Sequence, residues 1–209
     1  MASGSCISIA WMRELVMMAA NQMPLVKSIT PTFIQTKAAL ICAADIVICD
    51  CNLNAETLAE IAGLERQGLL IIDAVSTAKI ERIYGLYHHI DLLKLSRIEA
   101  ITMTNAHEES PIDSLITKAV DEGVRQVLVS DGERGFAIND GAKIHYFDAI
   151  KTTPQTVTGA GDCLLAGLIY GLATNLTLKQ ACEVGNRTAH LSTKSVASVN
   201  HHITRENVC

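Results

Sequence analysis

The chain has 209 residues, 49% of them apolar and 19% charged, with a formal net charge of -5. That balance excludes a disordered chain and, with no Lys/Arg stripe to offset the acidity, a protein whose main partner is nucleic acid. The length suits one α/β domain, or one domain with a short appendage.

The opening stretch from Cys6 to Met23 is apolar but interrupted by Arg13, Glu14 and Asn21. It therefore falls short of the roughly 20 apolar residues of a membrane span, and no basic segment precedes it as in a signal peptide. Met12, Met17, Met18 and Met23 are read as fillers of an apolar face, and Trp11 as core or interface. Asp45 to Asp50 reads as a buried strand, followed by a helix begun by Asn54 and Glu56. Leu69 to Asp73 is the next strand, and a helix near Thr77 to Tyr87 leads to a third over Ile90 to Leu95. Pro111 to Glu122 reads as a helix with Ser110 as its N-cap and Gly123 as its stop. Gln126 to Ser130 is a further strand. Phe136 to Ile138 and Lys143 to Phe147, separated by Asn139-Asp140-Gly141, form a hairpin. Helices from about Gly159 and about Leu178 close the chain. Strands alternating with helices of this length predict an α/β fold, a mainly parallel sheet with helices on both faces.

Seven cysteines, an odd number without framework spacing, read as reduced, buried thiols of a cytoplasmic protein. Cys49 and Cys51 lack the second ligand pair of a zinc site. The adjacent pairs His88-His89 and His201-His202 lack the i, i+4 spacing that puts two imidazoles on one metal, so solvated helix ends suit them better. Lys151 reads as a surface lysine.

Sites in open parallel sheets lie at the carboxyl ends of the strands. Four positions fall there: Asp73, the segment after Leu95, the segment after Val129, and Thr156 to Asp162. The last is the most informative. Gly159, Ala160 and Gly161 lead into an apolar helix, so several backbone N–H groups face one way at the positive end of a helix dipole, which suits an anion. Asp162 stands beside them as a general base, and the pair equips the chain for phosphoryl transfer to an alcohol. Glu99 could hold hydrated magnesium, which is usually bound through one or two protein carboxylates; a solvated helix-start glutamate is the competing reading. Gly132 and Gly135 flank Glu133-Arg134, where the lack of a Cβ would admit a nucleotide to the backbone. For that segment alone an ordinary turn is the better reading.

The run Thr156-Val157-Thr158-Gly159-Ala160-Gly161-Asp162 resembles the second signature of the ribokinase-like (PfkB) carbohydrate kinases, and the order of elements is similar from about Thr30 to Val199. Asp50-Cys51-Asn52-Leu53, Asp73-Ala74-Val75-Ser76 and Leu93 to Ala100 look like the pseudouridine kinases within that family. The resemblance implies a ribokinase-like three-layer sandwich, ATP and Mg2+ as cofactors, and a small-molecule sugar or nucleoside as acceptor, pseudouridine first. It implies Asp162 as catalytic base and the N–H groups of Gly159, Ala160 and Gly161 with Asp162 as the anion hole. Glu99 matches the acidic residue of the Asn-x-x-Glu motif, Ser130 and Gly132 the nucleotide-binding Thr-x-Gly segment, and Asn186 a position beside the adenine.

Four residues depart from the family pattern. Ser96 replaces the motif asparagine, shortening the side chain that arranges phosphates. Thr156 replaces an aspartate near a monovalent cation, which bears on K+ activation. Asp131 places a negative charge in the nucleotide segment, and Ala197 replaces a loop glycine. The family's first strand, substrate-binding aspartate, lid and Gly-Gly segment are not found before Thr30. Residues 1–29 are accordingly expected to be a remnant of the lid and N-terminal strands, and 30–209 the carboxyl-terminal two-thirds of a kinase domain. The alternative is a non-catalytic relative that binds nucleotide or a protein. In either case an exposed sheet edge is expected, covered by a homodimer contact or a protein partner.

Overall fold

A computed structural model describes residues 5–10, 16–22, 25–195, 200 and 202–208. Trp11, Met12, Met23, Ala197 and His201 lie outside the described residues. The main sheet has six strands lying in sequence order: β3 (Ile46–Asp50), β4 (Leu69–Asp73), β5 (Leu92–Ser96), β6 (Gln126–Ser130), β7 (Phe136–Asn139) and β8 (Ile144–Phe147). β3 to β6 run parallel, and β7 and β8 return antiparallel as the expected hairpin. Two earlier strands, β1 (Ser5–Ala10) and β2 (Val16–Gln22), pair antiparallel in a separate two-stranded sheet.

Each central strand is apolar at nearly every position because both faces are covered. Leu70, Ile72, Leu93, Leu95, Val127 and Val129 point to one face, where they meet α3 (Ala55–Gly63), α4 (Arg97–Thr104) and α5 (Ile112–Asp121). Ile71, Leu92, Leu128, Phe136 and Ile138 point to the other, against α6 (Ala160–Ala173) and α7 (Leu178–Ser192). Three layers result: the α/β arrangement with helices on both faces that the element order predicts, and the ribokinase-like sandwich that the resemblance implies. Each fully buried Leu or Ile contributes about 1.5–3 kcal/mol of transfer free energy, so two such interfaces hold the sheet rigidly.

α6 and α7 pack closely because glycines line their contact. A Cβ on Gly185 would stand 2.7 Å from the Leu164 carbonyl oxygen, and one on Gly171 would stand 2.6 Å from Ala181 Cα. That fit seats α6, and with it the Gly159–Asp162 turn at its start.

Two expectations need correction. Residues 77–87 form no α-helix. Two 3-10 turns, Ile80–Ile83 and Tyr87–His89, bury Ile80, Ile83 and Tyr87, and Gly85 at φ 80° breaks the run between them. Their i, i+3, i+7 burial imitates a helical face. Ser110 does not cap α5; Pro111 stands at its N-cap with no side-chain bond. The short helices α1 (Pro31–Gln35), α2 (Ala38–Ala43) and α8 (Arg205–Val208) carry too little periodicity to be read from sequence. No helix among the described residues is long and apolar enough to cross a membrane.

Candidate active site

The parallel register alone assembles the floor of the site. Asp50 lies opposite Asp73 across β3 and β4, and Asp73 lies opposite Lys94 across β4 and β5. Lys94 alternates with Leu93 and Leu95, so it faces the α6 layer. Its ammonium is 2.9 and 3.2 Å from the two Asp73 carboxylate oxygens. Both residues are deeply buried, 7% and 6% exposed. The Asp50 carboxylate accepts from its neighbour Asn52, at 2.9 Å from the backbone N–H and 2.8 Å from the side-chain amide.

The start of α6 stands over this row. Gly159 is its N-cap, at φ 83°, a conformation natural to glycine alone. The Ala160 N–H donates to the Val157 carbonyl oxygen at 3.2 Å. The N–H groups of Gly161 and Asp162 find no acceptor among the described residues, as the first turn of a helix leaves them. Of the amides the resemblance implies for the anion hole, Gly159, Gly161 and Asp162 have no N–H acceptor among the described residues, and Ala160 is committed to Val157. Asp162 is open to solvent, as an acceptor of an alcohol proton must be. Its carboxyl still titrates above the ordinary carboxylate range. Desolvation raises it most; the Lys94 charge opposes, and Asp73 and Asp50 add to the rise. Exposure and desolvation coexist when a side chain stands at a rim, one side on protein and the other on water.

β5 and β6 bring the next residues together. Ser96 lies opposite Ser130 in register, and the Ser130 hydroxyl donates to the Leu95 carbonyl oxygen at 3.3 Å. Ser96 is the N-cap of α4 in a capping box: its Oγ accepts from the Glu99 N–H at 3.4 Å, and Glu99 Oε2 accepts from the Ser96 N–H at 2.7 Å. Glu99 is therefore no solvated helix-start residue. It is 6% exposed, with Oε1 free of any hydrogen bond among the described residues. A carboxylate with one oxygen fixed and one free fits a water-shelled magnesium ion.

Asp131 follows β6, where its charge looked adverse to a nucleotide. Arg134 donates to it through Nε and Nη2 at 2.9 and 2.8 Å, and Arg97 approaches to 3.5 Å, so the charge is matched. Gly132 and Gly135 part company. Gly132, at φ 57°, faces open space, whereas a Cβ on Gly135 would stand 1.9 Å from the Phe147 carbonyl oxygen. Gly135 is buried against the chain's own backbone, which corrects the expectation that a nucleotide uses its missing side chain. Asn186, on α7, donates to the Asp148 carbonyl oxygen at 2.9 Å. Two hollows, of about 390 and 570 Å³, lie by Tyr170 and Arg187 and by Tyr84 and Glu122, among residues away from this row.

Sequence reasoning named Asp73 but gave Lys94 no role. The available signal was a lysine inside the apolar run Leu92-Leu93-Lys94-Leu95.

Known proteins resemble this chain in sequence and in fold. The chain is 28% identical to the pseudouridine kinase of Escherichia coli over 73% of its own length and 50% of the relative's. It is 24% identical to the sugar kinase YeiI of the same organism over 96% of its length and 56% of the relative's. The chain thus spans about half the length of these curated relatives. Among solved structures, the ribokinase of Thermotoga maritima superposes with a TM-score of 0.78 at 17% identity, over 91% of this chain and 63% of that one. The pfkB family carbohydrate kinase pattern matches residues 19–204, and the chain belongs to that family.

Proposed function

We propose that this chain carries the phosphoryl-transfer half of an ATP-dependent kinase that phosphorylates a hydroxyl of a sugar or nucleoside, pseudouridine first among the candidates. The observation that supports it best is the meeting of N–H groups without an acceptor among the described residues, on Gly159, Gly161 and Asp162, with the Asp162 carboxylate at one helix start. Asp162 would take the proton of the attacking hydroxyl while these amides neutralise charge growing on the transferred group. Ser96, Ser130, Gly132 and Asn186 would line the nucleotide, and Glu99 would hold magnesium through Oε1. Bound magnesium would supply charge neutralisation at the phosphate oxygens. A K+ requirement is the weakest part of the reading, because Thr156 offers a hydroxyl where charge would serve better. A cytoplasmic setting goes with it, as does the assignment of residues 1–29 to a lid remnant and 30–209 to the kinase domain.

One observation favours a second form of this reading. β3 pairs with β4 alone among the described strands, and Ile48 on it is 52% exposed. A second copy of the chain or a protein partner along this edge would complete the acceptor side; without one, the chain binds nucleotide and transfers nothing.

The test is transfer of labelled γ-phosphate from magnesium ATP to pseudouridine, ribose and related alcohols, alongside calorimetric ATP binding. Asp162→Asn should retain ATP binding and lose about 10²–10⁴-fold in transfer, the usual worth of a general base. ATP binding with no product from any acceptor supports the non-catalytic form. Absence of both binding and transfer defeats both forms.

A further inference from the structure

The buried pair beneath α6 has no part in the chemistry described so far. A buried ion pair contributes little net stability compared with apolar residues of equal volume, so its place under the α6 turn calls for another account. Lys94 is fixed at both carboxylate oxygens of Asp73, which leaves one N–H without an acceptor among the described residues. Its Nζ lies 3.1 Å from where a Cβ on Gly161 would be. Glycine at 161 therefore lets the first turn of α6 settle directly on the ammonium, with Asp162 as the next residue.

We propose that Lys94, clamped by Asp73, is a positioning residue for Asp162: it holds a fixed positive charge under the helix start and keeps the neighbouring carboxylate ready to accept a proton. This inference rests on the kinase reading above and deepens it.

The charges around Asp162 come from three strands. Asp50 at the end of β3 and Asp73 on β4 are acidic, and Lys94 on β5 is the cation acting on it. Glu99 on α4 and the Cys51 thiol after β3 are further titratable groups at this end of the sheet. Other nearby cations are engaged by the loop after β3. Arg82 Nη1 donates to the carbonyl oxygens of Cys51, Asn52 and Leu53 at 2.8, 3.0 and 3.1 Å, and Lys79 donates to Asn52 Oδ1 at 2.6 Å. Asp73 and Asp50 thus act on Asp162 against the one ammonium of Lys94, and Asp162 already titrates high for an aspartate because of desolvation. Without Lys94, the like charges would act on it unopposed.

The decisive experiment follows the Asp162 side-chain carbon by ¹³C NMR through a pH titration of the full chain. Asp162→Asn assigns the signal. Lys94→Gln should move the midpoint to higher pH, and Asp73→Asn should move it to lower pH, while Lys94→Arg stays near the wild type. A merely structural pair would shift neither midpoint or both in one direction, and either result overturns the inference. If Lys94→Gln does not fold, Asp73→Asn decides alone: a lower midpoint supports the role, and an unchanged or higher one overturns it. The titration needs no turnover. A chain that neither binds ATP nor transfers phosphate would sink the kinase reading and leave the electrostatic result standing.

Discussion

The two edges of the six-stranded sheet are finished in different ways. On the β8 side the chain folds back as a hairpin, Phe136 stacks on Phe147 with ring centroids 4.8 Å apart, and α7 is tied down by the Asn186–Asp148 bond. On the β3 side a parallel strand ends the sheet. There Ile48 is exposed, Leu40 on α2 is 72% exposed, and α2 buries no residue fully. The proposed phosphoryl-transfer residues lean on the finished side, since α6 is seated by α7 and by the face of β4 to β7. The difference teaches that the turn at the start of α6, where the proposed base stands, is held by packing complete among the described residues, whereas the β3 edge is left open.

Substitutions can break or sharpen that contrast. The largest structural effect is expected at the α6–α7 contact. Gly185→Val would drive a side chain into the Leu164 backbone, and overpacking of this kind costs about 1–3 kcal/mol. Denaturant titration should show that loss, with weaker ATP binding as α6 shifts. Ser96→Ala should cost about 1 kcal/mol by removing the hydroxyl that accepts from the Glu99 N–H, while the backbone N–H of residue 96 still holds Glu99 Oε2, so a binding assay should find the magnesium requirement unchanged. The smallest effect on stability belongs to the other edge. Ile48→Lys should change unfolding by less than about 0.5 kcal/mol. A lysine there blocks edge-to-edge pairing, so light scattering should find less self-association than in the unsubstituted chain. An equal mass for both would remove the case that this edge is an interface.

Much of this organisation is legible in the sequence because it follows from short periods. β4 and β6 have the bounds expected of them, and the hairpin and the two long closing helices stand where expected. Continuous apolar runs and glycine punctuation are local signals, and they survive folding. The 3-10 turns after β4 were not legible, because their buried residues repeat at a helical spacing while Gly85 breaks the backbone. The pairing of Lys94 with Asp73 was not legible either. It depends on register between strands 21 residues apart, and the sequence carries no marker of that offset. Glu99 shows the same limit in another form: a capping box could be suspected from Ser96 and Glu99, but its burial comes from the packing of α4. At Gly132 and Gly135 the sequence offered two equivalent glycines, and only the return of β8 beside Gly135 tells them apart.

The most direct measurement of the central claim is a ¹⁵N–¹H titration of the backbone amides with magnesium and a non-hydrolysable ATP analogue. The expected result is that Gly161 and Asp162 shift strongly as their free N–H groups receive phosphate oxygens, while Ala160, committed to Val157, moves least. Shifts confined to the hollow around Tyr170 and Arg187, with Gly161 and Asp162 unmoved, would contradict it.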